Sequence, residues 1–157
     1  MAHAKSRSVI INEWIAFTLL AGMIVYGLIM WTKLPDQIAI HYNVKGEADG
    51  FGSKGTIWLL VIIGGILSLA LYYLNRHPQI FNYPVAITDE NRTRLYNKAQ
   101  GLISRMNLLT IVIFAYLFFK MTTAAQGNSS SLGLWFLPTF LILVSVIIFD
   151  AVRAMRF

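Results

Sequence analysis

Apolar positions in this chain do not alternate with polar ones. They gather in four long blocks: Trp14 to Trp31, Thr56 to Leu74, Met106 to Ala125 with an interruption at Lys120, and Leu132 to Phe149. A helix that is apolar all round has no wet face and must be enclosed by protein or lipid. Crossing a hydrocarbon layer of about 30 Å takes roughly 20 residues, and three blocks approach that length uninterrupted. The third is short up to Phe119, but Lys120 lies near its end, where a long stem carries the ammonium to the interface. The expected fold class is an all-α integral membrane protein forming a single domain over 1–157. Four transmembrane helices are expected at about 10–32, 56–74, 102–125 and 132–150. A structured extracytoplasmic loop over 33–55 joins helices 1 and 2, and a cytoplasmic loop covers 75–101.

Composition supports lipid as the solvent. The chain is 57% hydrophobic and 13% charged, against about 25% charged in soluble domains. Lys5 and Arg7 ahead of the first block have the form of a signal-peptide start. That block is too long for a signal core, and Thr32-Lys33-Leu34-Pro35 offers no small-residue cleavage site, so it is read as a helix. With no cysteine, disulfides and thiolate metal ligands are excluded.

The net charge of +6 follows the loops rather than one soluble face, which argues against nucleic acid as a partner. Lys5, Arg7, Arg76, Arg92, Arg94, Lys98, Arg105, Arg153 and Arg156 fall on one side of a four-span arrangement, and Lys33, Lys45, Lys54 and Lys120 on the other. The richer side is expected to be cytoplasmic, with both termini there. Trp31, Trp58 and Trp135 then form an outer aromatic belt, and Trp14, Tyr72 and Tyr73 an inner one.

Between helices 2 and 3, Pro78 and Pro84 interrupt regular structure, and Thr88 is a candidate N-cap followed by Asp89 and Glu90. Leu95, Ala99, Leu102, Ile103 and Met106 recur at helical spacing, with Arg92, Arg94, Lys98 and Arg105 opposite. This reads as a basic amphipathic helix running into helix 3, with anionic lipid as the expected partner of its charged face. Small-residue pairs, Thr18 with Gly22 and Gly64 with Ser68, mark candidate helix contacts. Glu13 and Asp150 are expected near the inner rim, paired with Arg105, Arg153 or Arg156. No ionisable residue falls at the midplane, which argues against a transport cycle.

The loop Leu34 to Lys54 is the most distinctive segment. Ile38, Ile40 and Tyr42 alternate with Gln37, Ala39, His41 and Asn43, predicting a strand with one apolar face, and Gly46 and Gly50 are candidate turn residues. A hairpin-like cap over the helix ends is expected, with its apolar side down. Asp36, His41, Glu47 and Asp49 match no established metal spacing, and one histidine with carboxylates does not make a catalytic site. No cofactor, no metal and no enzymatic activity are expected. The sequons at Asn128-Ser129-Ser130 and Asn91-Arg92-Thr93 are short enough to arise by chance, and the second falls on the cytoplasmic side.

Leu34-Pro35, Ile38, Ile40-His41-Tyr42-Asn43, Gly46, Asp49-Gly50 and Ser53-Lys54 resemble the N-terminal domain of the sporulation-delaying-protein immunity family (SdpI-like). The likeness continues through Asn75-Arg76-His77-Pro78, Phe81-Asn82-Tyr83-Pro84 and Asn91-Arg92, covering roughly residues 10 to 125. Ala39 and Ala48 stand where that family's prolines are expected, and no counterpart of its second domain, with a Gly-x-Arg and Trp signature, is expected within residues 1–157. The resemblance implies a bacterial plasma membrane and a recognition role for His41, Asn43, Gly46, Asp49 and Lys54. Two functions follow as expectations. One is an accessory subunit docking on a larger membrane assembly through helix faces and the outer loop; the other is an immunity-type protein capturing a peptide or toxin through that loop. Membrane lipids and another membrane protein or peptide are the expected partners.

Overall fold

The computed structural model describes residues 5–127, 133 and 135–155. Helix α1 spans Arg7–Met30, its first turn capped by Ser6, whose hydroxyl accepts from the Val9 amide. A 3-10 turn at Trp31–Lys33 leads into strands β1 (Gln37–Tyr42) and β2 (Ala48–Ser53), an antiparallel hairpin. A second 3-10 turn at Lys54–Thr56 leads into α2 (Ile57–Arg76). After a third at Pro78–Ile80 come α3 (Arg92–Ala125) and α4 (Phe136–Met155).

All four helices are long and apolar enough to cross a membrane. Their outward faces carry exposed Ile11, Leu28, Ile66 and Phe149, a surface suited to hydrocarbon because each helix satisfies its own backbone. α3 has 34 residues, a length of about 51 Å at 1.5 Å per residue. It therefore outruns a hydrocarbon layer of about 30 Å by several turns. Its first turns are not a separate element: the segment beginning at Arg92 and the apolar span are one helix.

α1, α2 and α3 pack on one another, and α4 lies chiefly against α3. The main apolar core sits where the hairpin meets these three helices, built from Met23, Leu34, Ile38, Ile57, Val61, Phe118 and Met121. Among the glycines of the helices, side chains from neighbouring helices press most closely on Gly27. A Cβ there would fall 2.8 Å from Phe118 Cζ and 2.9 Å from Trp58 Cη2. Gly64 and Ser68 are buried, and a Cβ on Gly64 would stand 3.2 Å from Phe114. The pair expected on α1 does not act this way: Thr18 and Gly22 are exposed, and a Cβ on Gly22 would meet nothing within 4 Å. The phase of α1 around its axis decides this, and four-residue spacing does not report it.

At the other end of the bundle, the segment after α2 folds back on α3. Tyr83 stacks on Tyr96 at 5.9 Å and donates its hydroxyl to the Pro78 carbonyl at 2.9 Å. Burial, with Tyr96 beside it, pushes the Tyr83 phenol up to about 12. Thr88 and Asn91 exchange side-chain to main-chain hydrogen bonds, and the Thr88 carbonyl accepts from the Arg92 amide. Thr88 thus heads the turn that starts α3, and Asn91 occupies the cap position. Leu132, the expected start of the fourth helix, the sequon at Asn128-Ser129-Ser130, and Arg156 lie outside the described residues.

Candidate functional site

The hairpin carries two register irregularities. Ala39 faces Phe51 while His41 faces Gly50, and Tyr42 then faces Ala48. One extra residue therefore stands on β1, at Ile40, and one on β2, at Asp49. A bulge resets the inside-outside alternation of a strand, which is why the expected apolar face of Ile38, Ile40 and Tyr42 does not form. Ile38 and Ala39 are buried together, whereas Ile40 is 41% exposed. Ile40 lies across Gly52, where a Cβ would come 2.6 Å from its Cδ1.

His41 and Asp49 meet beside the second bulge, Nδ1 to Oδ1 at 2.5 Å, with both side chains open to solvent. Gly50 permits this approach, since a Cβ on it would sit 2.8 Å from the His41 Cβ. Asn43 builds the turn: its Oδ1 accepts from the amides of Lys45 and Glu47, and its Nδ2 donates to the Glu47 carboxylate. Gly46 occupies the left-handed region at φ 77°, where L side chains are strained. Lys54 pairs with Asp36 at 3.2 Å, reaches the Leu34 carbonyl at 3.4 Å and lies 5.1 Å from the centre of the Trp31 ring. Of the five predicted recognition residues, Asn43, Gly46 and Lys54 hold the hairpin's shape, and His41 and Asp49 are the pair it displays.

Val44 and Phe51 are 89% and 65% exposed. Val44, with Tyr42 and Lys45, and Phe136, Leu137 and Pro138 on α4 border a groove of about 440 Å³. The Tyr42 hydroxyl is buried with no hydrogen-bond partner among the described residues, and burial pushes its pKa up. Among the described residues, no group of three or more His, Asp or Glu side chains is placed to hold a metal ion.

The four basic residues of the α3 stripe are in different circumstances. Arg92 pairs with Asp89 at 2.8 Å and Arg105 with Asp150 at 2.7 Å, the latter tying α3 to α4. Arg94 is exposed, and Lys98 borders a polar groove with Arg105, Asp150 and Arg153. The apolar stripe, Leu95, Ala99, Leu102 and Ile103, faces Phe81, Tyr83 and Pro84.

Sequence reasoning missed a polar network inside the bundle at this end. Glu13 is 7% exposed; its Oε1 accepts from Lys5 Nζ at 2.5 Å and from Asn75 Nδ2 at 3.1 Å. Gln100, 2% exposed, donates to the Asn75 carbonyl at 3.0 Å. Asn12 donates to the Ser104 hydroxyl at 3.2 Å. Lys5 takes the place beside Glu13 that the arginines were expected to fill. The recurrence of Asn75, Gln100, Ser104 and Asn107, all buried, was the available signal: amides within or beside apolar blocks point inward.

The sequence profile of a domain of unknown function, DUF1648, matches residues 18–65, which run from mid-α1 through the hairpin into α2. The chain is also 24% identical over 139 residues to an uncharacterized protein of Archaeoglobus fulgidus, covering 80% of this chain and 76% of that one. No solved structure matches.

Proposed function

We propose that this chain is a multi-pass protein of a prokaryotic plasma membrane, with its termini in the cytoplasm and its hairpin outside, serving as a non-catalytic accessory subunit. The orientation follows from the basic residues gathered at the end opposite the hairpin. The archaeal relative widens the expected hosts beyond bacteria. The observation that carries the docking role is the hairpin's surface. Ile40, Val44 and Phe51 are exposed around the His41–Asp49 pair. Apolar groups held out in a polar rim mark a surface that another protein covers. The expected partner is a membrane protein whose own outer segment presents apolar side chains with a hydrogen-bonding group opposite His41 and Asp49.

A second reading, capture of an extended peptide, is favoured by Tyr42. Its unpartnered hydroxyl beside the groove is a donor available to a peptide carbonyl, and an unmade buried hydrogen bond is costly until satisfied. Purification in mild detergent separates the two readings. A stoichiometric membrane partner that is lost from a Phe51→Ala, Val44→Ala variant of unchanged thermal stability supports docking. A chain that runs alone and retains added extended peptides through Tyr42 supports capture. Partner retention unaffected by the hairpin variants would rule out the hairpin as the docking surface.

A further inference from the structure

Between α1 and α2, at the end away from the hairpin, a cavity of about 560 Å³ opens beside Trp14, which is 69% exposed on the lateral surface. Its size falls within the roughly 300–1,000 Å³ of small-molecule sites. Two cations meet at one of its walls. Lys5 Nζ lies 4.7 Å from the centre of the Tyr72 ring, and the Arg76 guanidinium lies 4.7 Å from the same ring while donating to the Tyr72 hydroxyl. Glu13 balances Lys5. Arg76 has no carboxylate partner among the described residues, so the wall keeps one unbalanced positive charge. Gln100 also lines the cavity, with its Nε2 committed to the Asn75 carbonyl and its Oε1 buried without a hydrogen-bond partner among the described residues. That oxygen is an acceptor in want of a donor, on a residue lining a site whose charge calls for an anion.

We propose that this cavity holds the headgroup of an anionic phospholipid whose phosphodiester also carries hydroxyls. The phosphate pairs with Arg76 and borders Lys5, and a headgroup hydroxyl donates to Gln100 Oε1. Arg is suited to phosphate because its planar fork offers paired donors. Trp14 and Tyr72 supply the amphipathic rings that favour the headgroup level. Basic pockets between membrane helices on the cytoplasmic side are suited to such headgroups. A free phosphate ester with hydroxyls offers the same chemistry, but the exposed Trp14 and Ile10 at the mouth favour a ligand with acyl chains. The proposal needs the membrane placement alone and is independent of what the hairpin binds.

The test uses the full chain purified in detergent, with lipid binding read by native mass spectrometry and by the thermal shift each lipid produces. Phosphatidylglycerol should bind and stabilise, and phosphatidylcholine should not. Phosphatidylmethanol, the same phosphodiester without hydroxyls, should bind about tenfold more weakly than phosphatidylglycerol. Arg76→Gln should cut phosphatidylglycerol binding about tenfold, with lipid-free stability unchanged because Arg76 is exposed at a helix end. Tyr72→Phe, which keeps the ring and frees the guanidinium, should give a smaller loss. Arg153→Gln, in the neighbouring polar groove, should change nothing. Binding that survives Arg76→Gln but falls with Arg153→Gln would move the lipid to the other groove and overturn the assignment. Equal binding of phosphatidylmethanol would overturn the Gln100 contact. Tight binding of soluble glycerol phosphate without phosphatidylglycerol would reject the lipid as the source.

Discussion

Asn75, at the end of α2, donates its side-chain amide to the Glu13 carboxylate of α1 at 3.1 Å, in a contact closed from water on both sides. It also accepts from Gln100 of α3 through its main-chain carbonyl, so one residue fastens three helices. In a bundle whose outer faces are apolar, burial of apolar surface cannot drive helix association, because lipid is as apolar as the neighbouring helix. Shape and internal hydrogen bonds must do it instead. Gly27 supplies the shape at one end and Asn75 the hydrogen bonds at the other.

Glu13→Ala should therefore destabilise the bundle by at least about 1.5–3 kcal/mol, the usual range for a hydrogen bond to a charged group. Lys5→Ala should cost less, since Lys5 precedes α1 and leaves Asn75 still donating to the carboxylate. Unfolding in mixed micelles measures both. The Lys5, Glu13 double variant should be less destabilised than the sum of the two single variants, because the residues share one interaction. Strict additivity would show that the pair is not coupled.

Gly27 has a sharper expectation. A methyl added there meets Phe118 and Trp58 at under 3 Å, so Gly27→Ala should cost about 1–3 kcal/mol through overpacking. Trimming the facing ring with Phe118→Leu should restore part of that. Gly22→Ala, with open space around it, should be neutral in the same assay. A neutral Gly27→Ala would mean that the three helices pack differently from the arrangement described.

These contrasts mark what the sequence could disclose. Four blocks of apolar residues made the number of helices legible, because lipid imposes that pattern directly. Which glycine lies inside was not legible: Gly22 and Gly27 stand on one helix that is apolar around its whole circumference, and no polar face sets its phase. The hairpin's second strand was not legible, and Gly50, expected in a turn, lies inside it facing His41, whereas the first strand was legible from alternation between Gln37 and Asn43. The bulges at Ile40 and Asp49 were not, since an extra unpaired residue depends on the partner strand as well as on its own. The residues to which the resemblance assigns a recognition role divide accordingly. Asn43 and Gly46 satisfy the turn, and Lys54 the hairpin's base, while His41 and Asp49 are left outside.

Orientation is open to a direct measurement. With no native cysteine, single variants Ser53→Cys in the hairpin and Asn97→Cys in the first turns of α3 report sidedness cleanly. An impermeant maleimide applied to intact cells should label Ser53→Cys and leave Asn97→Cys unreacted until the membrane is opened. The reverse labelling would invert the proposed topology.

Alkaline pH should loosen the segment that folds back on α3. The Tyr83 phenol titrates near pH 12 in the folded chain against 10.0 ordinarily. Between those values the folded state holds a proton that the unfolded state has released. Stability from this group is complete below pH 10 and is lost as pH rises towards 12. Tyr83→Phe removes the titration along with one hydrogen bond to Pro78, costing about 1 kcal/mol at neutral pH. It should flatten the alkaline fall in stability. Tyrosinate absorbance rising near pH 10 for every tyrosine of the wild type would contradict the shielded phenol.

The hairpin offers the clearest separation of fold from recognition, because burial has sorted its side chains. Ile38 is 1% exposed and belongs to the main core, so Ile38→Ala should cost about 2–5 kcal/mol. Ile40, bulged outward, should tolerate alanine with little loss of stability, although strand alternation alone would rank the two alike. His41 and Asp49 form an exposed pair, and such pairs are worth about 0–1 kcal/mol in stability. His41→Ala and Asp49→Ala should therefore melt in detergent within a degree or so of the wild type. If the displayed pair is read by a partner, both variants should nonetheless lose the protein or peptide that the wild type retains, since truncating a polar contact at the centre of an interface costs far more there than in the free chain. Full retention by both variants would assign recognition to the apolar residues Val44 and Phe51 alone. Loss of the folded chain in both would mean that the pair holds the second bulge in place, and that the hairpin displays no polar recognition group at His41 and Asp49.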